Sequence, residues 1–500
     1  MKMADVKWNE EQIQAINAKD SAVLVSAAAG SGKTAVLVER VINMLTDKNS
    51  GVMADELLIV TFTRLAAEEM KTRINKRLTK LLDECMTNPE IDEAHLRNQQ
   101  LLLDKADIST IDSFCREVVK SSYTRFDISP DYRIGDNSEL TALRCRAVEE
   151  CAEEFYKRDD FGSIASLFTT STSDRPLKDE LIDFYNFLSA LPFPERWMEK
   201  TLERLEASQK DAKHSVWADI LLQSAKSDIM YIKGLMDNNC EIFEQLENTD
   251  DISESFPAKR TQHLSEKSFI EALCLCETWD DISIKLESDI FFERAVSVRK
   301  LSESGAEIYE DYKSNRKEIQ ETLKRLRGSF SVSENELVQQ IWITAHNAEI
   351  FFEFIRAFTD KYTQLKKEKN ILDFSDIERF TLLTLAQECK NGEYAVDSSP
   401  DSIRYNITDE ARELAAHYKQ VIVDEYQDVN QLQDLIFKII SDNDRNLFVV
   451  GDVKQSIYGF RQAMPDIFIN RKAEYNLLPD DKAKNIVLKR NYRSREPWLP

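Results

Sequence analysis

The chain has 500 residues, 42% of them hydrophobic and 31% charged, with a formal net charge of −23 and a pI near 4.9. That length allows roughly three domains; no apolar run reaches the ~18 residues a membrane span needs, and no apolar stretch at the N-terminus reads as a signal peptide, so a cytoplasmic location is expected. The acidity excludes a broad phosphate-neutralising face of the kind that holds duplex DNA, and any nucleic-acid contact must be local, made by stacking aromatics and by backbone or hydroxyl donors in a groove.

In chain order, Trp8-Asn9-Glu10-Glu11-Gln12 opens a short helix with a capping-box pattern, Asn9 three residues before Gln12. Gln12 stands just upstream of the most informative stretch. Its amide can read a purine edge with paired donor and acceptor, or it is an exposed helix glutamine. The apolar run Ala22-Val23-Leu24-Val25 leads into Ser26-Ala27-Ala28-Ala29-Gly30-Ser31-Gly32-Lys33-Thr34, and a helical pattern to Leu45 follows. Strand, glycine turn and helix in that order make a phosphate cradle: turn N–H groups face an anion, Lys33 reaches outer phosphates, and the Thr34 hydroxyl can ligate magnesium. The pattern departs from the usual one only at Ala27, where a glycine is customary.

Leu57-Leu58-Ile59-Val60 reads as a buried parallel strand ending in Thr61-Phe62-Thr63-Arg64, with a helix from Leu65 to Leu82 behind it. Strand carboxyl ends face the ligand crevice in such sheets, so Phe62 is a core residue or a base-stacking platform; the strand context alone favours burial. A short strand from Ala106 to Ser109 leads to Thr110-Ile111-Asp112-Ser113-Phe114-Cys115 and a helix running to about Tyr123. From Asp136 to Asn370 helical periodicity dominates and glycines are sparse. Phe351, Phe354, Ile355, Phe358, Tyr362 and Leu365 form one apolar stripe there, which is core packing. The α/β pattern then returns. Gln420-Val421-Ile422-Val423 ends in Asp424-Glu425-Tyr426-Gln427-Asp428, a helix spans Asn430 to Ile440, Leu447–Val450 ends in Gly451-Asp452, and a last strand lies near Asn485 to Leu488. Adjacent carboxylates at a strand end are costly without a cation nearby, and magnesium on a nucleotide supplies that charge. One nucleotide-binding sheet is therefore expected to be interrupted by a helical domain.

These residues resemble superfamily 1A DNA helicases of the UvrD type. Trp8–Gln12 resembles the Q motif, Ala27–Thr34 motif I, Thr61–Met70 motif Ia, Thr110–Cys115 motif Ib, Asp424–Asp428 the DExQD motif II, Gly451–Arg461 motif III and Asn491–Ser494 motif IV. Leu372-Asp373-Phe374-Ser375-Asp376 is similar to the short acidic motif at which such chains re-enter the motor core. The alanines before Gly30, with Ala35, Asp112 and Phe460, point to the AddA branch, related to RecB.

The resemblance implies an α/β fold: a P-loop NTPase (RecA-like) parallel-sheet motor domain, residues 1–135 and 371–484, interrupted by a helical insertion at 136–370, with 485–500 opening a second motor domain. It implies ATP and Mg2+ as ligands and ATP-driven 3′–5′ translocation on DNA. An AddB-type nuclease subunit would be the partner, in double-strand break repair by recombination. Gln12 would read adenine, residues Ala27 to Thr34 would cradle phosphate, Thr34 and Asp424 would hold magnesium, and Glu425 would be the base. Gln455 would sense the γ-phosphate, Tyr492 stack on adenine and Arg493 act as an arginine finger. Phe62, Tyr458 and Phe460 would stack on bases, with Thr61, Arg64, Thr110, Ser113 and Arg461 completing the DNA surface. Motifs V and VI and the family's nuclease domain are not in these 500 residues, so the chain is expected to be the front of a longer polypeptide. Two other readings stand beside this one: a stand-alone UvrD-like repair helicase, and a nucleotide-binding scaffold without motor activity.

Overall fold

A computed structural model describes residues 8–19, 21–85, 92–169, 173–208, 215–249, 256–287, 294–298, 301–399, 402–456, 459 and 462–492. The first third of the chain carries strands β1 (Ala22–Ala27), β2 (Leu57–Thr61), β3 (Asp107–Thr110) and β4 (Arg133–Ile134), interleaved with helices α1 (Glu10–Asn17), α2 (Lys33–Thr46), α3 (Arg64–Cys85), α4 (Glu93–Leu102) and α5 (Ile111–Ser122). Among the described residues nine helices follow: α6 (Asn137–Phe155), α7 (Gly162–Phe168), α8 (Arg175–Ser189), α9 (Pro194–Ala207), α10 (Val216–Thr249), α11 (Phe256–Cys274), α12 (Trp279–Leu286), α13 (Glu303–Ser329) and α14 (Glu334–Glu368). The last third holds β5 (Ile371–Leu372), α15 (Phe374–Leu385), β6 (Ala386–Glu388), β7 (Tyr394–Ala395), β8 (Arg404–Ile407), α16 (Asp409–His417), β9 (Gln420–Val423), α17 (Gln431–Ile440), β10 (Leu447–Gly451), α18 (Pro465–Leu477) and β11 (Ala483–Leu488). None of the described helices is long and apolar enough to cross a membrane.

Six strands form one parallel sheet in the order β11-β1-β10-β9-β2-β3. Its strands are continuous apolar runs because both faces are covered, as parallel sheets require. Alternate residues divide the core: Leu24, Leu58, Val60, Val421, Val423 and Val449 pack on one face against Phe114, Ile377 and Leu435. Val23, Val25, Ile59, Ile422 and Phe448 pack on the other against Leu37, Met70 and Ile74. The register keeps like with like, pairing Leu24 with Val449 and Val60 with Val423; a slip of one residue would exchange the two faces.

The chain divides into two compact units, residues 1–197 with 354–500, and residues 198–353. The helical segment read as 136–370 is thus shared between them. In the first unit α6, α8 and the end of α14 are held together by rings: Phe354 lies 4.7 Å from Phe155 and 5.2 Å from Phe161, and Tyr185 sits edge-on to Phe358 and Tyr362. The predicted stripe on α14 is core from Phe354 to Leu365. The chain leaves for the helices after β4 and returns at β5, and these two short strands pair in parallel, Arg133 with Ile371 and Ile134 with Leu372. The second unit packs α10 against α11 and α13, around Trp279, Ile229, Ile319 and Leu323. Inside it Arg316 donates twice to the buried Glu266, at 2.7 and 2.9 Å.

One expected boundary is corrected. β11 runs along β1 from the pair Ala22 and Ala483 to the pair Ala27 and Leu488, so residues up to Leu488 complete the first sheet and do not open a second domain at 485. A lone strand cannot satisfy its backbone, and the exposed edge of β1 offers the partner. The three-stranded antiparallel sheet β6-β8-β7 was not legible in the sequence, because its strands are only two to four residues long.

Glu378, on α15, is buried and accepts from Gln433 Nε2 at 2.6 Å. Desolvation, then the nearby Asp112 charge, push its carboxyl up to about 7. The folded chain therefore holds this proton where the unfolded chain has lost it, and stability falls as pH rises from about 4.5 to 7. Glu378→Gln keeps the acceptor for Gln433 and removes that slope, so the gap between melting temperatures at pH 5.5 and pH 8 is expected to narrow. An unchanged gap in a calorimetric pair would refute the assignment.

Candidate functional site

All six strands run the same way, so their carboxyl ends lie along one edge, where ligands bind in sheets of this kind. That edge collects the glycine turn after β1, Phe62 after β2, Thr110 after β3, Asp424 to Asp428 after β9, Asp452 to Ser456 after β10, and Tyr492 after β11.

In the glycine turn, Gly30 has φ +74° and Gly32 φ +88°, left-handed conformations open to glycine. A β-carbon on Gly32 would lie 3.3 Å from Gln12 Nε2. Ala27, where the customary pattern has glycine, is the last residue of β1 in extended backbone and tolerates its methyl. Helix α2 starts at Lys33, leaving first-turn N–H groups without intrahelical partners and the positive end of the helix facing the turn. The buried Ser31 hydroxyl makes no hydrogen bond. Together these form an anion cradle.

Lys33 Nζ donates to both carboxylate oxygens of Glu425, at 2.8 and 3.1 Å, across 392 positions of sequence. Glu425 itself has φ +53°, a strained conformation for this residue type. Asp424 is part-buried beside it; desolvation and then the Glu425 charge push its carboxyl up to about 6, against the pull of Lys33. Burial, helped by Glu425, raises Asp428 as well. Three carboxylates in five residues thus share one lysine, an excess of negative charge that a divalent cation would relieve. Among the described residues no group of three acidic, histidine or cysteine side chains converges into a metal site built by protein alone.

Gln12 is 4% exposed and lies against the turn. Its Nε2 donates to the Ser31 carbonyl at 3.1 Å and its Oε1 accepts from Asn9 N at 3.1 Å. Tyr492 reaches the same place from β11: its N–H donates to the Gly30 carbonyl at 2.7 Å and its hydroxyl accepts from Asn9 Nδ2 at 3.1 Å. Gln455 donates from its side chain to the Asp452 carboxylate.

The nucleic-acid candidates are less closely gathered. Thr61 is buried and donates to the Thr63 carbonyl at 3.0 Å; Phe62 is half-buried and Arg64 exposed. Thr110 caps α5, accepting from Ser113 N, and the two hydroxyls lie 3.0 Å apart. Tyr458, Phe460, Arg461 and Arg493 lie outside the described residues. Gln427, not singled out from the sequence, is buried at the centre of the site; its signal is an amide two residues beyond Glu425, in a stretch with buried neighbours on both sides.

A parallel sheet with an anion cradle and an acidic strand end defines the class, and residues 8–476 match the model of the UvrD/REP helicase N-terminal domain; the chain belongs to that family. Over 98% of its length it is 38% identical to the AddA protein of Thermoanaerobacter pseudethanolicus, which is one component of an ATP-dependent helicase/nuclease. It is 33% identical over 99% to the protein of the same name from Clostridioides difficile, and 34% identical over 98% to that from Acetivibrio thermocellus. The chain spans 38% of the length of each of these relatives.

Proposed function

We propose that this chain is the ATP-driven motor portion of an AddA-type DNA helicase/nuclease: a P-loop, RecA-like domain with a helical insertion that moves 3′–5′ on single-stranded DNA. It would act in the cytoplasm with an AddB-type partner, in break repair by recombination. The observation that carries this reading is the Lys33–Glu425 contact, which joins the residue that would bind phosphate to the residue that would activate water.

On this reading Lys33 leaves Glu425 for the outer phosphates, and Glu425 then orients and deprotonates the attacking water. Magnesium, when bound, neutralises charge on the transferring group; Thr34 and Asp424 would hold it, in keeping with a hard cation that takes one or two protein oxygens and the rest from phosphate and water. Gln12 keeps one amide N–H and one lone pair beyond its described contacts, enough to read adenine's edge. Tyr492 would cover the base, Gln455 would sense the terminal phosphate and Arg493 would act as the finger. The tracked strand would stack on Phe62, Tyr458 and Phe460, since a chain at −23 has little basic surface to offer.

Two titrations test this. A fluorescent ATP analogue with magnesium should bind the chain, and Lys33→Ala should weaken it. Oligo-dT should stimulate turnover, and Phe62→Ala should lower oligo-dT affinity by about 1–3 kcal/mol. Equal nucleotide affinity in Lys33→Ala, or indifference to oligo-dT, would overturn the reading.

A further inference from the structure

Gln427 connects the two acidic strand ends of the site. The left-handed turn at Glu425 folds the chain back so that Gln427 points inward, 1% exposed. Its Nε2 donates to Glu425 Oε2 at 2.9 Å and to Asp428 Oδ2 at 3.1 Å. Its Oε1 accepts from the backbone N–H of Asp452, beyond β10, at 2.9 Å. The orientation of the amide is fixed by its neighbours: a backbone N–H can only donate and carboxylates can only accept. Room for it comes from Gly451, where a β-carbon would stand 2.6 Å from Gln427 Oε1 and 2.9 Å from Phe468 Cε2.

Among the described residues, the side chains that donate to Glu425 are Lys33 and Gln427. Lys33 touches both carboxylate oxygens, whereas Gln427 touches only Oε2. We infer that Gln427 is a positioning residue for the water-activating base: once Lys33 is drawn to phosphate, Gln427 anchors Glu425 through Oε2 and leaves Oε1 as the oxygen that accepts the proton. The anchor is stiff because the far end of the amide is tied to backbone, and it holds a carboxylate whose own backbone is strained. This rests on the nucleotide-site reading above.

The test uses Gln427→Glu, which keeps size but replaces the donor with a carboxylate, and Gln427→Ala, which removes it. Misplacement of a reacting group by about 1 Å costs on the order of a hundredfold. ATP turnover is therefore expected to fall about a hundredfold in both variants, with KM, the affinity for a fluorescent ATP analogue and the melting temperature little changed. Because Gln427 acts through Glu425, the double variant Glu425→Gln/Gln427→Ala should turn over no more slowly than Glu425→Gln alone. If Gln427→Ala fails to fold, Gln427→Glu carries the comparison by itself. Turnover within twofold of the unsubstituted chain, a further loss in the double variant, or nucleotide affinity falling in step with turnover would overturn the inference, while Lys33→Ala and Glu425→Gln still behave as the reading requires. A chain whose nucleotide binding and turnover depend on neither Lys33 nor Glu425 would overturn the reading and this inference with it.

Discussion

Glu425→Gln is expected to cut ATP turnover by about 10²- to 10⁴-fold, the range a positioned general base supplies, while nucleotide stays bound at least as tightly as before. The amide cannot take a proton from water. It also releases Lys33 from an ion pair of 2.8 Å, so the ammonium no longer has to be drawn from a carboxylate to meet phosphate. Lys33→Ala should do the opposite to binding, weakening it along with turnover, and leave Glu425 with Gln427 as its described side-chain donor. Equilibrium titration with a fluorescent ATP analogue, beside single-turnover hydrolysis, separates the two variants. Near-normal hydrolysis in Glu425→Gln would remove Glu425 from the chemistry.

Lys366→Met is expected to lower stability by about 3–5 kcal/mol, the loss that follows when one partner of a buried ion cluster is removed. Lys366 is 2% exposed at the end of α14 and donates to Asp373 Oδ2 at 3.0 Å and to Asp376 Oδ2 at 2.6 Å. Asp373 caps α15, forming a capping box with Asp376, and also accepts from the Tyr362 hydroxyl at 3.2 Å. Desolvation and Asp373 hold the Asp376 carboxyl up at about 6 even with the lysine present. Without Lys366 both carboxyls would be raised further, and the folded chain would take up protons on acidification that the unfolded chain does not. The loss should therefore be largest near pH 8 and smaller near pH 5. Urea denaturation at the two pH values measures it, and a loss below 1 kcal/mol at both would show that the cluster is not a stabilising joint.

The acidic motif Leu372 to Asp376 illustrates how far sequence reading reaches. Its place at the return to the sheet was legible from composition and spacing. Its work was not: Asp373 and Asp376 serve as a helix cap neutralised by Lys366, and an ion cluster across a chain reversal has no periodicity to reveal it. Thr110 is similar, since a hydroxyl at a helix start reads equally as a cap or as a ligand, and the described contacts make it a cap.

The sequence by itself determined the sheet strands and the two halves of the site. Apolar runs of four to six residues can only be buried strands when turn residues and amphipathic helices flank them, and a glycine turn before Lys33-Thr34 constrains its own backbone whatever surrounds it. Tertiary structure alone decided which strands are neighbours, that β11 closes the first sheet beside β1, and that Lys33 meets Glu425 across 392 positions. It also decided the place of Gln427, whose partners come from the ends of two different strands. Strand order and long-range polar contacts depend on how separate elements pack. No local propensity encodes them, and they exist only once the sheet has formed.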